Sequence, residues 1–223
     1  IDWALHDPGT PYGPRKGGFY PVMDSMVMDG HFWNESPMYA LINVTHQFQA
    51  YAEAARHYDG ADLYAYKSPT GASIKNMIDG FIRTAFPIEQ TGIGGGSIRY
   101  AGYGDGSTDF SLYGQWGEPF LVNHPSGGLT MQGDLEIAYK RFKDPAYAWL
   151  LSLDPLRANY GAGHAFIWSF RAVTHGEPLP AKVGPPPAPC GVYPDQGQAI
   201  LRANETPAYW TNGSIAASVM LGR

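Results

Sequence analysis

The sequence predicts a mainly α-helical chain that is followed by a smaller antiparallel β part. Apolar residues recur at helical spacing in several segments between residues 37 and 175, and short turns separate these segments. A proline-rich stretch, residues 178–189, comes next and contains Pro185-Pro186-Pro187. Beyond it, strand-like segments around Val192, 199–201 and 215–221 are separated by Gly, Asn and Pro. These observations predict helical hairpins followed by the first strands of an antiparallel sheet.

Start and stop signals delimit the predicted helices. Ser36 can cap a helix that has Pro37 in its first turn, and Asp59-Gly60 ends this helix after about Tyr58. An amphipathic helix is expected over about 73–85. Further helices are expected over residues 129–142, 145–153 and about 162–175.

The predicted domain division follows the proline-rich stretch. We expect residues 1–178 to belong to a helical domain, 179–189 to form a stiff linker and 190–223 to begin a β-sheet domain. Glycine and proline are dense in residues 1–28 and glycine in 91–117, so both regions are expected to be long loops. The absence of an initial Met, and an end within a strand-like segment, predict that both termini are cuts.

Composition excludes several classes of protein. Hydrophobic residues make up 44% and charged residues 16% of the chain, which indicates an ordered globular protein. The net charge of -5, with no cluster of Lys and Arg, argues against a nucleic-acid partner. No run of about 18 apolar residues is present, so no membrane span is predicted. The single Cys190 excludes an internal disulfide.

The aromatic content leaves two interpretations open. The chain has 15 Tyr, 6 Trp and 10 Phe. Their flat apolar faces and polar edges suit sugar rings, but they equally suit a large core.

Candidate site residues concentrate in four segments. The first, residues 29–39, leads into a helix N-terminus, whose N–H groups and dipole favour a carboxylate ligand. Helix capping and packing are the alternative explanation of this first segment.

The second segment is a helix face on which residues 39, 43 and 46 are expected to point the same way. Its alternative is a hydrogen-bonded core histidine. The residues singled out in these two segments are His31, Trp33, Asn34, Glu35, Tyr39, Asn43 and His46.

The third segment, residues 97–106, sets two tyrosines in a Gly-flanked loop. Arg99 lies beside Tyr100, and a nearby cation favours the ionised phenol, which could take a proton from a carbon next to a carboxylate. Tyr103 and Asp105 belong to the same loop, and tyrosines that merely pack are the alternative. The fourth segment, residues 123–128, contains His124 and is explained by structure alone as a helix-start loop.

Other common chemistries lack their motifs. No Cys/His cluster and no His-Glu-x-x-His is present, so a zinc site is not expected. The glycine run 92–96 is not a phosphate-binding loop, and the Gly-x-Ser-x-Gly of a serine hydrolase is missing.

Three motifs resemble those of the heparinase II/III-like polysaccharide lyases and their alginate-lyase relatives. Residues 29–39 (DGHFWNESPMY) resemble the helix start of that family, and Tyr103-Gly-Asp105 resembles the element after its catalytic-tyrosine loop. Residues 194–202 (PDQGQAILR) resemble the strand that opens its β-sheet domain. The order and separation of these motifs cover nearly the whole chain.

The resemblance implies both a fold and a reaction. The fold would be an incomplete α/α toroid, of which residues 1–178 form the C-terminal part, packed on an antiparallel β-sandwich domain. The reaction would be β-elimination at a 4-linked uronic acid by a secreted or periplasmic bacterial enzyme. A neutralising side chain binds the C6 carboxylate, a Tyr or His removes the C5 proton, and a Tyr protonates the leaving oxygen.

The expected partners and site residues follow from the same resemblance. The ligand would be an acidic polysaccharide or oligosaccharide. The resemblance implies a reaction that consumes no cofactor. A structural divalent metal in the β domain would be compatible with the resemblance. A further catalytic His is expected in the remainder of the polypeptide, beyond residue 223. Tyr100, Tyr103, Asn43 and His46 are the predicted catalytic residues, with Tyr100 favoured as the base, and the substrate-binding set is His31, Trp33, Asn34, Glu35, Tyr39, Arg99, Asp105 and His124.

This chain departs from the family directly after the motif tyrosine, where the difference matters for mechanism. Family members often carry His or Asn just after the motif tyrosine, where this chain has Ala40 and Leu41. Asn43 or Asn34 would then neutralise the carboxylate. Two further hypotheses therefore stay open: an inverting glycoside hydrolase that uses carboxylates such as Glu35 and Asp105, and a non-catalytic glycan-binding relative.

Overall fold

The computed structural model describes residues 2–9, 17–30, 32–33, 46–87, 89–91, 95–99, 101, 111–114, 132–153, 176–211 and 214–220. These residues contain six α-helices and three small antiparallel sheets, so the fold is of mixed α/β class. The helices are α1 Asp2–His6, α2 Phe19–Ser25, α3 His46–Tyr58, α4 Ile74–Arg83, α5 Gln132–Phe142 and α6 Pro145–Ser152. The strands are β1 Val27–Met28, β2 Phe32–Trp33, β3 Glu89–Thr91, β4 Gly95–Arg99, β5 Ser111–Gly114, β6 Gly191–Tyr193, β7 Gln198–Arg202 and β8 Ala216–Met220.

Local capping explains where the predicted helices begin and end. The Ser73 hydroxyl accepts a hydrogen bond from the Asn76 N–H at 3.1 Å and starts α4. Asp144 does the same for α6, with Pro145 in the first turn. Gly60, at φ +70°, follows the end of α3. These three predictions are confirmed, whereas the predicted start of the first helix and the helix over 162–175 lie outside the described residues.

Two predicted loops contain regular structure, so those predictions were wrong. Residues 1–28 include α1 and α2, because Phe19, Val22 and Met23 recur at helical spacing and are buried in the core. Residues 91–117 include β4, which pairs with β3 on one side and β5 on the other. Backbone pairing on both sides outweighs the poor strand propensity of Gly95 and Gly96.

The main core lies between the helices, and a half-buried ion pair joins α3 to α5. The Arg141 guanidinium forms two hydrogen bonds to the Glu53 carboxylate, and the Tyr64 hydroxyl donates to Glu53 Oε1 at 2.7 Å. The Gln49 amide, fully buried, donates to the carbonyl of Asp134 at 3.0 Å. Burial and the Glu53 carboxylate raise the pKa of Tyr64 well above its usual range, so its hydroxyl stays a donor.

An aromatic layer attaches α1 and α2 to this core. Phe19, fully buried, contacts Tyr20, Phe48 and Tyr66 through its ring. The Tyr66 hydroxyl donates to Asp24 Oδ1 at 2.6 Å. The layer therefore ends at the surface in a phenol–carboxylate pair.

The Tyr66–Asp24 pair makes stability pH-dependent at high pH. Burial and the hydrogen bond to Asp24 raise the pKa of Tyr66 to about 12. Because this pKa lies above the ordinary tyrosine value, the contribution to stability is complete below about pH 10 and is lost as the pH rises towards 12. The measurement is the phenolate absorbance of wild type and of Tyr66→Phe as the pH is raised. Wild type should show a transition near pH 12 that Tyr66→Phe lacks. Asp24→Asn should move that transition towards 10, and an unshifted transition would contradict the assignment.

The C-terminal sheet has the order β6-β7-β8 and two different faces. Tyr193, Gln198, Ile200 and Arg202 point towards the helices and are buried. The opposite face is apolar and exposed, with Val192 at 74%, Leu201 at 50% and Val219 at 42% exposure. Strand predictions for this region are confirmed.

The proline-rich stretch packs against this sheet region. Residues 182–190 have no regular secondary structure, and the Ala188 N–H donates to the Glu205 carbonyl at 2.9 Å. Trp210, in a short 3-10 helix, donates its indole N–H to the Pro186 carbonyl at 2.7 Å. Within the described part of the chain, no helix is long and apolar enough to cross a membrane.

Candidate active site at the junction of helices and sheet

The C-terminal end of α4 is the point at which the sheet joins the helical core. The last carbonyls of a helix lack partners within the helix, and here a side chain of β7 supplies donors. Arg202 donates to the carbonyls of Arg83 and Ala85, the latter at 3.1 Å, and also to the Pro189 carbonyl. The Tyr209 hydroxyl donates to the Ala85 carbonyl at 2.8 Å, and its ring lies 4.9 Å from the Arg202 guanidinium. Arg202 thus connects β7, the proline-rich stretch and α4.

Asp29 connects the β1–β2 hairpin to the C-terminal sheet region. Its carboxylate accepts the N–H of Asp195 at 3.2 Å and the N–H of Gln196 at 2.9 Å. Asp29 and Gly30 both have positive φ, at 50° and 76°, within the hairpin that joins β1 to β2. This left-handed backbone is uncommon for a residue other than glycine, although Asp tolerates it better than most. The hairpin therefore presents the Asp29 carboxylate to the turn before β7.

A small apolar cluster lies beside these polar contacts. Ala101, Tyr193 and Ile200 are buried together, and Met28 and Phe86 pack against them. The Ala101 N–H donates to the Thr84 carbonyl at 3.0 Å, and Thr84 lies between Arg83 and Ala85, whose carbonyls Arg202 binds. The cluster therefore brings Met28 and Ala101 together with Tyr193 and Ile200 of the C-terminal sheet. In the sequence, Met28 precedes Asp29, and Ala101 follows Tyr100.

Tyr193 is the titratable aromatic residue of this cluster. Burial raises the pKa of its hydroxyl, Arg202 and Arg83 act in the opposite direction, and Asp29 raises it further. Tyr193 is therefore a neutral phenol at physiological pH rather than a phenolate. Sequence reasoning did not select it.

Gly191 provides the space that the Tyr193 ring occupies. A Cβ added to Gly191 would lie 2.5 Å from the Tyr193 hydroxyl and 2.7 Å from Cζ. We expect Gly191→Ala to displace the ring and to lower the free energy of unfolding by about 1 to 2 kcal/mol, the usual cost of overpacking. Chemical denaturation measures this. Gly184→Ala is the matched control, because a Cβ at Gly184 has no atom within 4 Å. Equal stability of the two variants would contradict the packing.

Most of the sequence-predicted site residues cannot be placed. His31, Asn34, Glu35, Tyr39, Asn43, Tyr100, Tyr103, Asp105 and His124 lie outside the described residues. Trp33 belongs to β2, His46 is the first residue of α3 and Arg99 is the last residue of β4, and only their backbone is described. The predicted grouping of residues 39, 43 and 46 on one helix face therefore stays a prediction.

Three junction residues were missing from the predicted site. Asp29 and Arg202 lie in the quoted motifs, and Tyr193 directly precedes one of them, but none was selected. The available signal was an Asp-Gly pair before a helix start and an Arg at an inward strand position. Both residues contact backbone groups rather than side chains, and motif reading does not reveal such contacts.

Buried polar atoms of β7 and its preceding turn complete the junction. Among the described residues, no hydrogen-bond partner is present for Gln196 Oε1, Gln198 Oε1 or Arg202 Nε. Such atoms are rare in folded proteins and mark places where a ligand or water can bind.

Comparisons with protein-family models, with curated proteins and with solved structures found no match to this chain.

No metal centre is present in the described part of the chain. There, no three His, Cys, Asp or Glu side chains lie close enough together to hold a metal ion. The junction offers a carboxylate, a guanidinium, a neutral phenol and amide oxygens. The carboxylate and the guanidinium both bind backbone groups, so they hold the junction together.

Proposed function

We propose that this chain belongs to a secreted or periplasmic polysaccharide lyase that cleaves a 4-linked uronic-acid-containing polysaccharide by β-elimination. The observation that supports this most is the convergence of separate motif regions. Met28 and Asp29, Ala101, and the strand segment 193–202 meet at one junction, although they are far apart in the sequence. A cleft enzyme built from a helical and a sheet part needs such a junction.

The finer architecture that we propose is an incomplete α/α toroid packed on a β-sandwich. The outer face of the β6-β7-β8 sheet supports the sandwich half of this proposal. Val192, Ala199, Leu201, Ala217 and Val219 make that face apolar. The inner face is already packed, and an apolar outer face is normally covered as well, usually by a second sheet.

The proposed mechanism needs a neutraliser and a base. Asn43 or Asn34 would bind the C6 carboxylate and lower the barrier to removing the C5 proton. Tyr100, next to Arg99, would remove that proton, with Tyr103 as the alternative base and His46 in a supporting catalytic role. As the C4–O4 bond breaks and the C4–C5 double bond forms, a tyrosine would protonate the leaving oxygen. The lining residues would be those of segments 31–39 and 99–105 together with His124. Asp29 and Arg202 would keep the helical and sheet sides of the cleft in register.

An assay on a panel of uronate polysaccharides tests the reaction class. The protein is mixed with alginate, glucuronan, polygalacturonate and a glycosaminoglycan, and ultraviolet absorbance reports unsaturated uronate ends. A lyase raises the absorbance, whereas a hydrolase produces saturated reducing ends without that rise. Absence of any rise across the panel would reject the lyase proposal. Binding without either product would favour a non-catalytic glycan-binding protein, which the apolar Ala40 and Leu41 make the second candidate.

A further inference from the structure

A surface away from the junction carries a run of rings that the proposed reaction does not use. Trp3 and His6 lie three residues apart on α1 and therefore share one side of that helix. The His6 ring lies 5.0 Å from the Tyr20 ring, and the Tyr20 ring lies 4.9 Å from the Tyr66 ring. These four residues, Trp3, His6, Tyr20 and Tyr66, are called the aromatic strip below.

The aromatic strip is exposed but rests on a rigid layer. Trp3 is 64% exposed, the His6 side chain is 61% exposed, and Tyr20 and Tyr66 are half-buried. Directly beneath, Phe19 is fully buried and contacts both Tyr20 and Tyr66. The half-buried rings are therefore held in place before any ligand arrives, which reduces the entropy lost on binding.

The chemistry of the strip suits a sugar ligand. The large aliphatic side chains of α1 and α2, Leu5, Val22 and Met23, are all buried, so rings and polar groups remain on the surface. A pyranose presents an apolar C–H face to a ring and hydroxyl groups to polar neighbours.

Polar groups at the rim match a neutral sugar. The exposed Asp24 carboxylate accepts the Tyr66 hydroxyl at 2.6 Å, and Asp2 lies 3.9 Å from His6. Carboxylate oxygens accept hydrogen bonds from sugar hydroxyls, but they repel a uronate. Lys67 is also exposed and follows Tyr66 in the chain, so the described residues around the strip carry charges of both signs.

We propose that the aromatic strip is a binding site for neutral pyranose units of a polysaccharide, separate from the junction. Trp3 stacks on one sugar face, and the Tyr66–Asp24 pair binds hydroxyl groups. This inference does not depend on the lyase proposal, because it concerns other residues and a ligand of different charge.

Affinity electrophoresis tests the proposal with the intact protein. Native gels contain soluble galactomannan, xyloglucan or mixed-linkage glucan, and parallel gels contain alginate or polygalacturonate. At least one neutral glycan should retard the wild type, and Trp3→Ala should weaken that retardation about tenfold in apparent Kd. Tyr66→Phe should weaken it about threefold, the effect of one hydrogen bond. No catalytic activity is needed, so failure of the lyase assay leaves this result readable.

A matched variant separates the strip from exposed aromatics in general. Tyr58 is 73% exposed, and its ring contacts His57 rather than the strip. Tyr58→Ala should therefore bind like the wild type. The proposal is overturned if no neutral glycan retards the protein, if Tyr58→Ala weakens binding as much as Trp3→Ala, or if the Trp3-dependent retardation occurs only with the acidic glycans.

Discussion

Replacing Arg202 by Met should lower the free energy of unfolding by about 3 kcal/mol, because buried carbonyls lose their donors. Methionine keeps an unbranched apolar stem but removes the guanidinium hydrogen bonds to Arg83, Ala85 and Pro189. It also removes the stacking on Tyr209. Urea denaturation followed by tryptophan fluorescence measures the change. A reduced slope of the transition would show that sheet and helices no longer unfold together.

The same substitution at Arg83 is the control for Arg202. Arg83 is the last residue of α4, and its side chain is 46% exposed. Its guanidinium lies 3.6 Å from the Asp79 carboxylate. An exposed ion pair contributes little, so Arg83→Met should change stability by less than about 1 kcal/mol. If both variants lose the same stability, the junction does not depend on Arg202.

Replacing Asp29 by Ala should lower the free energy of unfolding by about 2 kcal/mol. Two backbone N–H groups, of Asp195 and Gln196, lose their acceptor, and alanine is strained at the positive φ of residue 29. Asp29→Asn should lose only about 1 kcal/mol, since asparagine tolerates this backbone and keeps one acceptor oxygen. Thermal or urea denaturation provides both values.

Asp195→Ala tests whether the Asp29 effect comes from the carboxylate. The Asp195 side chain is exposed, and only its backbone N–H bonds to Asp29. Its removal should change stability by no more than about 0.5 kcal/mol, as for most surface substitutions. An Asp29→Ala variant as stable as Asp195→Ala would mean that the hairpin and the turn are held by other contacts.

The elements that could be predicted carry their own local signals. Ser73, and Asp144 followed by Pro145, cap α4 and α6 through bonds within three residues of the cap. The strands β6, β7 and β8 were visible because β-branched and apolar residues stand between turn residues. Such contacts are local in the sequence, so a single sequence is enough to predict them.

The elements that were missed depend on partners far along the chain. Gly95 and Gly96 form a strand because β3 and β5 pair with it, and glycine itself gives no strand signal. Residues 17–28 contain the buried Phe19, but the density of Gly and Pro before them suggested a loop. This segment is helical because α2 packs against Phe48 and Tyr66.

The candidate site was likewise predicted only in part. Motif reading found the chain segments that meet at the junction, but not which of their side chains hold it together. Asp29 contacts backbone 166 and 167 residues away, and Arg202 reaches carbonyls 117 and 119 residues away. Only a three-dimensional structure identifies those partners, because a backbone group carries no residue-specific signal.

We propose that Tyr100 or Tyr103 removes the C5 proton of a uronate, and the rate of ultraviolet absorbance increase tests this central proposal most directly. Wild type, Tyr100→Phe and Tyr103→Phe are compared on whichever uronate polysaccharide the wild type degrades, with matched stability confirmed by denaturation. Loss of the general base should reduce kcat at least about a hundredfold in Tyr100→Phe, with a smaller loss in Tyr103→Phe. Wild-type rates in both variants would contradict the claim.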